Sequence, residues 1–257
     1  MNFLELLNTK PNRNLTFGNY FNSQSDITNI YPDKDFSKHF LVVSGKRGSG
    51  VTHLLSALCN TYLYGGQKAI YITAQSLIYV NSLLKTDDDY NLFFYHLSQH
   101  ELIVIDNLQF FYKKSVKHTQ FLMQIIHYTK LNKVLLVLGC SELNKDITKS
   151  KKLMEGLKIK RLDLKELSSY DVFVILKGLC SIEDQIPDAL LYAISGYNGM
   201  IQEHIHCLIS IRFNPILKII ITKELSIEDF DELFNIKSYF SKQQFRKCYY
   251  QTRMNFM

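Results

Sequence analysis

The segment Gly45-Lys46-Arg47-Gly48-Ser49-Gly50-Val51-Thr52 gathers three glycines, two cations and two hydroxyls in one short stretch. A phosphate-binding loop needs glycine at its first and sixth positions, then lysine, then serine or threonine. The glycines let the backbone wrap the phosphates, main-chain N–H groups and a helix N-terminus hold the negative charge, and the hydroxyl reaches Mg2+. Gly45, Gly50 and Thr52 stand at those positions, but Val51 occupies the lysine position. A β-branched apolar side chain cannot neutralise the β- and γ-phosphates. Lys46 and Arg47 lie within the loop and offer some positive potential. The candidate nucleotide-binding set is therefore Gly45, Lys46, Arg47, Gly48, Ser49, Gly50, Val51, Thr52 and His53. A plainer account stays open: a helix cap with two solvated basic residues.

A second acidic position follows in Leu102-Ile-Val-Ile-Asp106-Asn107. In nucleotide hydrolases of this kind an aspartate at a strand end holds the magnesium shell, often with a carboxylate beside it to activate water. Asp106 supplies the first and, with Thr52, forms the candidate metal side, reached through the nucleotide. Asn107 stands where the general base would be, and an amide can orient water but cannot take its proton. The alternative is that Asp106 only closes a strand.

The surrounding pattern can position these groups. Phe40–Ser44, Ala69–Thr73, Glu101–Asp106, Val134–Leu138 and Lys158–Leu164 read as strands, the first four apolar along most of their length. Helical spacing over Thr52–Tyr64, Ser76–Leu84 and Val116–Lys130 separates them. Strands buried on both faces and alternating with helices predict a parallel sheet covered on both sides. From Ser168 the pattern turns helical, with Tyr170–Leu179, Asp188–Ile194 and Met200–Ile211 each carrying apolar residues three and four apart. The organisation expected is an arm (1–38), an α/β domain (39–165), a small helical lid (166–235) and a basic, aromatic tail (236–257).

Composition sets outer limits. Hydrophobic residues form 46% and charged residues 21% of the 257-residue chain, enough for a packed core. The formal charge of +6 permits an acidic or nucleic-acid partner without requiring one. The five cysteines are scattered, with no metal or redox spacing, and read as reduced thiols of a cytoplasmic protein. No run approaches the ~20 apolar residues of a membrane span, and Met1-Asn-Phe-Leu-Glu5 lacks a secretory pattern.

Leu15-Thr-Phe17, then Gly45 to Gly50 with Thr52-His-Leu-Leu55, then Ile105-Asp-Asn-Leu-Gln-Phe110 come in an order and spacing that resembles the DnaA/Hda branch of AAA+ replication-initiator proteins. The resemblance covers roughly residues 15 to 235. The tail beyond is too short for the helix-turn-helix domain of the initiators, so the chain looks most like the short Hda-like regulatory homologues. This resemblance implies a P-loop AAA+ core, a helical lid, and ADP or ATP with Mg2+ at their junction. It also implies assembly with the initiator DnaA, where one subunit's arginine completes a neighbour's ATP site, and loading on the sliding clamp.

The chain departs from that pattern at several positions. The arginine-finger position reads Lys151-Lys152-Leu153, making Lys152 the remaining candidate, and lysine is a point charge without the planar fork. The sensor arginine of the lid falls near Met200 or Ile201, and Ser141 is a weak candidate for the polar sensor after the fourth strand. The N-terminus has the apolar residues of a clamp-binding peptide but no glutamine. The expectation is a degenerate, non-hydrolysing regulatory partner of DnaA, with structural ADP or no cofactor at all. Homo-oligomerisation is a further expected contact. Two alternatives stand beside it: a weak ATPase using Lys46 or Arg47, and a helicase-loader-like protein binding single-stranded DNA through its tail. There Lys237, Lys242, Arg246, Lys247 and Arg253 alternate with aromatic residues, which equally suits packing on the lid.

Overall fold

A computed structural model describes residues 7, 10–23, 25, 27, 39–112, 116–140, 158–180, 191, 195, 201, 204 and 205. In chain order the elements are β1 (His39–Gly45), α1 (Val51–Tyr64), β2 (Ala69–Thr73), α2 (Ala74–Leu83), α3 (Asp87–Ser98), β3 (Leu102–Asp106), α4 (Gln109–Tyr112), α5 (Val116–Leu131), β4 (Leu135–Cys140), β5 (Lys158–Leu164) and α6 (Ser169–Leu179). A 3-10 turn, Phe17–Asn19, lies before them. Among the described residues no helix is long and apolar enough to cross a membrane.

The five strands form one sheet in the order β2-β3-β4-β1-β5, and every pairing is parallel. Successive side chains of a strand face opposite sides, and two apolar clusters show that alternation directly. Phe40, Val42, Ile70, Ile72, Ile103, Ile105, Leu136 and Leu138 face one layer with residues of α2, α3 and α5. Leu41, Val43, Tyr71, Leu102, Val104, Leu135 and Val137 face the other, where α1 lies. The expected α/β sheet with helices on both faces is the observed one. The central strands β3 and β4 are buried at every position because helices cover both faces of the sheet there, whereas the edge strand β5 carries Lys158, Lys160, Arg161 and Asp163.

Strand and helix bounds agree with the sequence pattern to within one or two residues, as expected of frayed ends. Helix α3 and the short α4 are the elements that hydrophobic spacing did not reveal, and α3 is the longer. Its first turn is Asp87-Asp-Asp89, and only Phe93 and Leu97 are buried. A local signal does mark its start. The Thr86 hydroxyl accepts from the Asp89 N–H while the Asp89 carboxylate accepts from Thr86 N–H, a reciprocal cap that also suits the helix dipole. Phe93 and Phe121 stack 5.1 Å apart and dock α3 on α5.

The chain divides into two compact units. The first comprises Met1–Tyr20 and Ser25–Glu166, and the second Phe21–Gln24 and Leu167–Met257. In the first, residues 12–19 run along α1. Asn60 donates to the carbonyls of Asn12 (2.9 Å) and Leu15 (2.8 Å), and His53, two turns earlier on the same face, meets the Thr16 carbonyl at 3.0 Å. In the second, the Ser168 hydroxyl caps α6 through the Asp171 N–H. The fully buried Asp171 carboxylate accepts from Ser168 N–H at 2.7 Å and Ser23 N–H at 2.9 Å. Burial pushes that carboxyl upward, but the bonds from Ser23 and Ser168 outweigh it and hold it below the ordinary range. The lid helices expected over 188–194 and 200–211, the tail, Lys152 and Ser141 lie outside the described residues, apart from isolated helical positions such as Leu191 and His204.

Candidate functional site

The glycine loop connects β1 to α1, and its turns depend on glycine at two points. Gly48 and Gly50 have φ of 92° and 95°, the left-handed region that side chains disfavour. Gly45 is constrained by space instead. A Cβ there would lie 2.3 Å from Ser49 Oγ and 2.9 Å from the Leu164 carbonyl oxygen. The Ser49 N–H bonds back to the Lys46 carbonyl at 3.0 Å, closing the turn. No side chain caps α1 at Gly50, so the positive end of the helix opens into the loop.

The basic residues of the loop point outward. Lys46 and Arg47 are exposed, and the Lys46 ammonium pairs with the Glu166 carboxylate, whose hydrogen bond and charge hold it above its ordinary range. Val51 turns the other way. It is 8% exposed and packs in the α1-side core with Leu54, Leu55 and Leu58. It therefore adds apolar contact beneath the loop and no charge within it. His53 also leaves the phosphate cradle. Its ring meets the Thr16 carbonyl and the Asn19 side chain, both at 3.0 Å, and burial holds its pKa below the ordinary value, partly countered by the Thr16 bond.

Thr52 and Asp106 do meet. The Thr52 hydroxyl donates to Asp106 Oδ2 at 2.7 Å. Two further donors complete the shell of this carboxylate, which is 1% exposed. Tyr71 Oη donates to the same oxygen at 2.6 Å, and the Asn107 N–H donates to Oδ1 at 2.7 Å. A buried carboxylate is costly unless hydrogen-bonded, and three donors, two of them hydroxyls, supply that compensation. Asn107 reaches its position by adopting φ 63°, a conformation asparagine tolerates better than most residues. Its side-chain oxygen accepts from Gln109 at 3.0 Å, which holds the amide in place next to Asp106.

Tyr71 was not among the residues the sequence singled out. The signal was strand parity: Tyr71 lies on the α1 face of β2, and Thr73 is in register with Asp106. Burial first, then the negative charge of Asp106, pushes its phenol well above the usual range, so it stays protonated as a donor. Gly139 on β4 has an equally local cause. A Cβ there would lie 2.2 Å from Leu55 Cδ1, 2.9 Å from Asp106 Oδ1 and 3.2 Å from Val51 Cγ1. Tyr20 is the third addition. Its ring packs 2.8 Å from where a Gly50 Cβ would stand and edge-on to His53 at 5.3 Å.

The donor set fits a nucleotide in part. The backbone of Gly45–Gly50 and the start of α1 can receive phosphate oxygens, and Thr52 and Asp106 are the groups that would face its Mg2+. The cation that normally lies between the phosphates has no counterpart at residue 51.

A parallel sheet with a glycine loop after β1, an uncapped helix behind it and a buried acid ending β3 defines a P-loop domain of the AAA+ type. Within that class, the family model of the bacterial DnaA ATPase domain matches residues 18–160, more than half of the chain. The chain belongs to that family. It is 30% identical over 142 residues to the chromosomal replication initiator protein DnaA of Mesoplasma florum, covering 51% of this chain and 32% of that protein. With the DnaA of Buchnera aphidicola it shares 29% over 146 residues, 52% of this chain and 33% of the relative. The chain thus spans about a third of the length of these curated relatives. Its fold matches the structure of AMPPCP-bound DnaA from Aquifex aeolicus with a TM-score of 0.66 at 17% identity, over 79% of this chain and 66% of that one.

Proposed function

We propose that this chain is a degenerate DnaA-type AAA+ module that regulates replication initiation through AAA+ to AAA+ contact with the initiator, in the manner of the Hda-like homologues. On this reading it works in the cytoplasm and does not hydrolyse ATP itself. The observation that carries the reading is the position of Val51. The residue that would neutralise transferring phosphates is an apolar side chain buried in the core, and phosphoryl transfer depends on such charge stabilisation. The Asp106 carboxylate supports it, because three protein donors already satisfy it. Asn107 beside it offers no base.

Nucleotide on this reading is a structural ligand, ADP in preference to ATP. The main chain of Gly45, Gly48 and Gly50 holds phosphate oxygens, while Thr52 and Asp106 turn toward Mg2+. The bound nucleotide supplies negative charge at the N-terminus of α1, where Gly50 provides no side-chain cap. The relatives of this chain are replication initiators, and contact with DnaA is the partner role we assign it. The sliding clamp, DNA through the tail and a second copy of the chain are secondary contacts of the same proposal.

The test is the melting temperature of the wild type and of Val51→Lys, with and without millimolar ADP or ATP and Mg2+, alongside steady-state phosphate release. A ligand binding only the folded state at about 100 times its Kd stabilises by about 2.7 kcal/mol. The expected outcome is a shift with ADP in the wild type and no phosphate release. Nucleotide-dependent stimulation of ATP hydrolysis in mixtures with DnaA supports the regulatory role. Wild-type turnover that disappears in Asp106→Ala would overturn the non-catalytic reading.

A further inference from the structure

A pocket of about 750 Å³ opens at the β2 edge of the sheet, between the arm, the end of α1 and the start of β2. Its charged lining comes from Lys10 and Arg13, with His100 beside them, and no acid is among its described lining residues. The apolar contribution is also exposed: Tyr64 is 70% and Leu63 42% accessible.

Ala69, Ile70 and Tyr71 all line this pocket although their side chains alternate between the two faces of the sheet. Consecutive residues of a strand can do so only where the pocket runs along the strand's edge. Among the described residues β2 pairs with β3 alone, so this edge is the open border of the sheet. The phase of the ladder follows from one bond. Leu102 N–H donates to the Lys68 carbonyl, so Lys68 faces β3 and the N–H and C=O of Ala69 face away from it, toward the pocket.

A border that offers main-chain hydrogen-bonding groups is a template for another strand. The charge then selects its chemistry. We propose that this pocket takes an extended, acidic peptide segment of a partner protein as an added strand along β2. Carboxylates of the segment pair with Lys10 and Arg13, and alternate aliphatic side chains rest on Leu63 and Tyr64. A nucleic acid would use the same cations and its phosphates can accept the Ala69 N–H, but it does not continue the alternating donors and acceptors of a strand edge as a peptide backbone does. The site lies apart from the glycine loop, needs no nucleotide and stands independently of the regulatory reading above.

The experiment uses the full chain and a fluorescein-labelled peptide of roughly six residues alternating Glu and Val, a typical strand length, followed by fluorescence anisotropy. The same peptide with Lys for Glu and an oligothymidylate of equal length serve as comparisons. Two variants separate charge from backbone. Lys10→Glu with Arg13→Glu reverses the charge at the surface. Ala69→Pro removes the outward N–H and keeps the outward C=O, and proline is tolerated where a strand's N–H faces away from the sheet. The expected result is saturable, salt-weakened binding of the Glu-Val peptide, at least about tenfold weaker in each variant, a loss of about 1.4 kcal/mol. Absence of binding below about millimolar peptide, tighter binding of the oligothymidylate, or undiminished affinity in either variant overturns the proposal.

Discussion

Replacing Tyr71 by phenylalanine removes one oxygen and keeps the ring in its place, so the energetic consequence can be worked from the geometry. The phenol donates to Asp106 Oδ2 at 2.6 Å, and both residues are buried, at 7% and 1% exposure. Hydrogen bonds to charged groups contribute about 1.5–3 kcal/mol. Asp106 keeps the Thr52 hydroxyl at 2.7 Å and the Asn107 N–H at 2.7 Å, so its charge is not left bare. The expected loss is therefore about 2 kcal/mol, toward the lower half of that range. For a domain of this size that corresponds to a fall in Tm of roughly 4–8 °C. Urea unfolding at pH 7 measures it, with an unchanged m-value showing that the two states are the same. The pH dependence gives a second readout. A phenol held above its ordinary value stays protonated in the folded chain while the unfolded chain ionises from about pH 10. Stability is thus fully present below that pH and falls above it, by at most about 1.4 kcal/mol per pH unit for this group. Tyr71→Phe should lose that portion of the alkaline decline. A loss at pH 7 below about 0.5 kcal/mol, with the alkaline slope unaltered, would refute the view that Tyr71 holds the Asp106 carboxylate.

Other consequences follow from the same geometry. Gly139→Ala should cost about 1–3 kcal/mol by chemical denaturation, because its methyl group strikes Leu55, Asp106 and Val51 at once; wild-type stability would contradict this packing. His53, His96 and His100 are all held below the ordinary histidine pKa, each chiefly by burial. Their unfolded forms take up protons from about pH 6.5 downward, so stability should fall as pH drops below that value. Comparing melting curves at neutral and mildly acidic pH in wild type and His53→Gln checks the point, the variant showing a smaller fall. Burial pushes the Cys59 thiol up to about 12 and Cys140 up to about 11. Peptide mapping after brief alkylation at mildly alkaline pH should find label on Cys180, which is partly exposed, before either of these.

What the sequence by itself determined is the order of the elements and the nature of the loop. Phe40–Ser44, Ala69–Thr73 and Leu102–Asp106 have too few polar positions to be anything but strands covered on both sides. The run from Gly45 to Thr52 between a strand and a helix shows the glycine spacing of a phosphate loop, with a plain helix cap as the alternative reading. The missing cation was also visible, because residue 51 is valine. Where Val51 points was not. Its burial depends on Leu55, one turn on, and on the Cβ-free surface of Gly139, on the third strand after it in sequence and adjacent in space. Tyr71 escaped notice for the same reason. An aromatic residue in Ala-Ile-Tyr-Ile-Thr reads as ordinary strand filling, and only the parallel register of β2 on β3, with α1 laid across it, brings its hydroxyl to Asp106. Helix α3 had a local mark in the Thr86–Asp89 cap, but its weak apolar stripe needed Phe121 of α5 as a partner before it became a core face. Short-range preferences are written in neighbouring residues. The direction of a side chain and the donors around a buried charge are set by residues far away in the chain, which meet only when the sheet and its covering helices close.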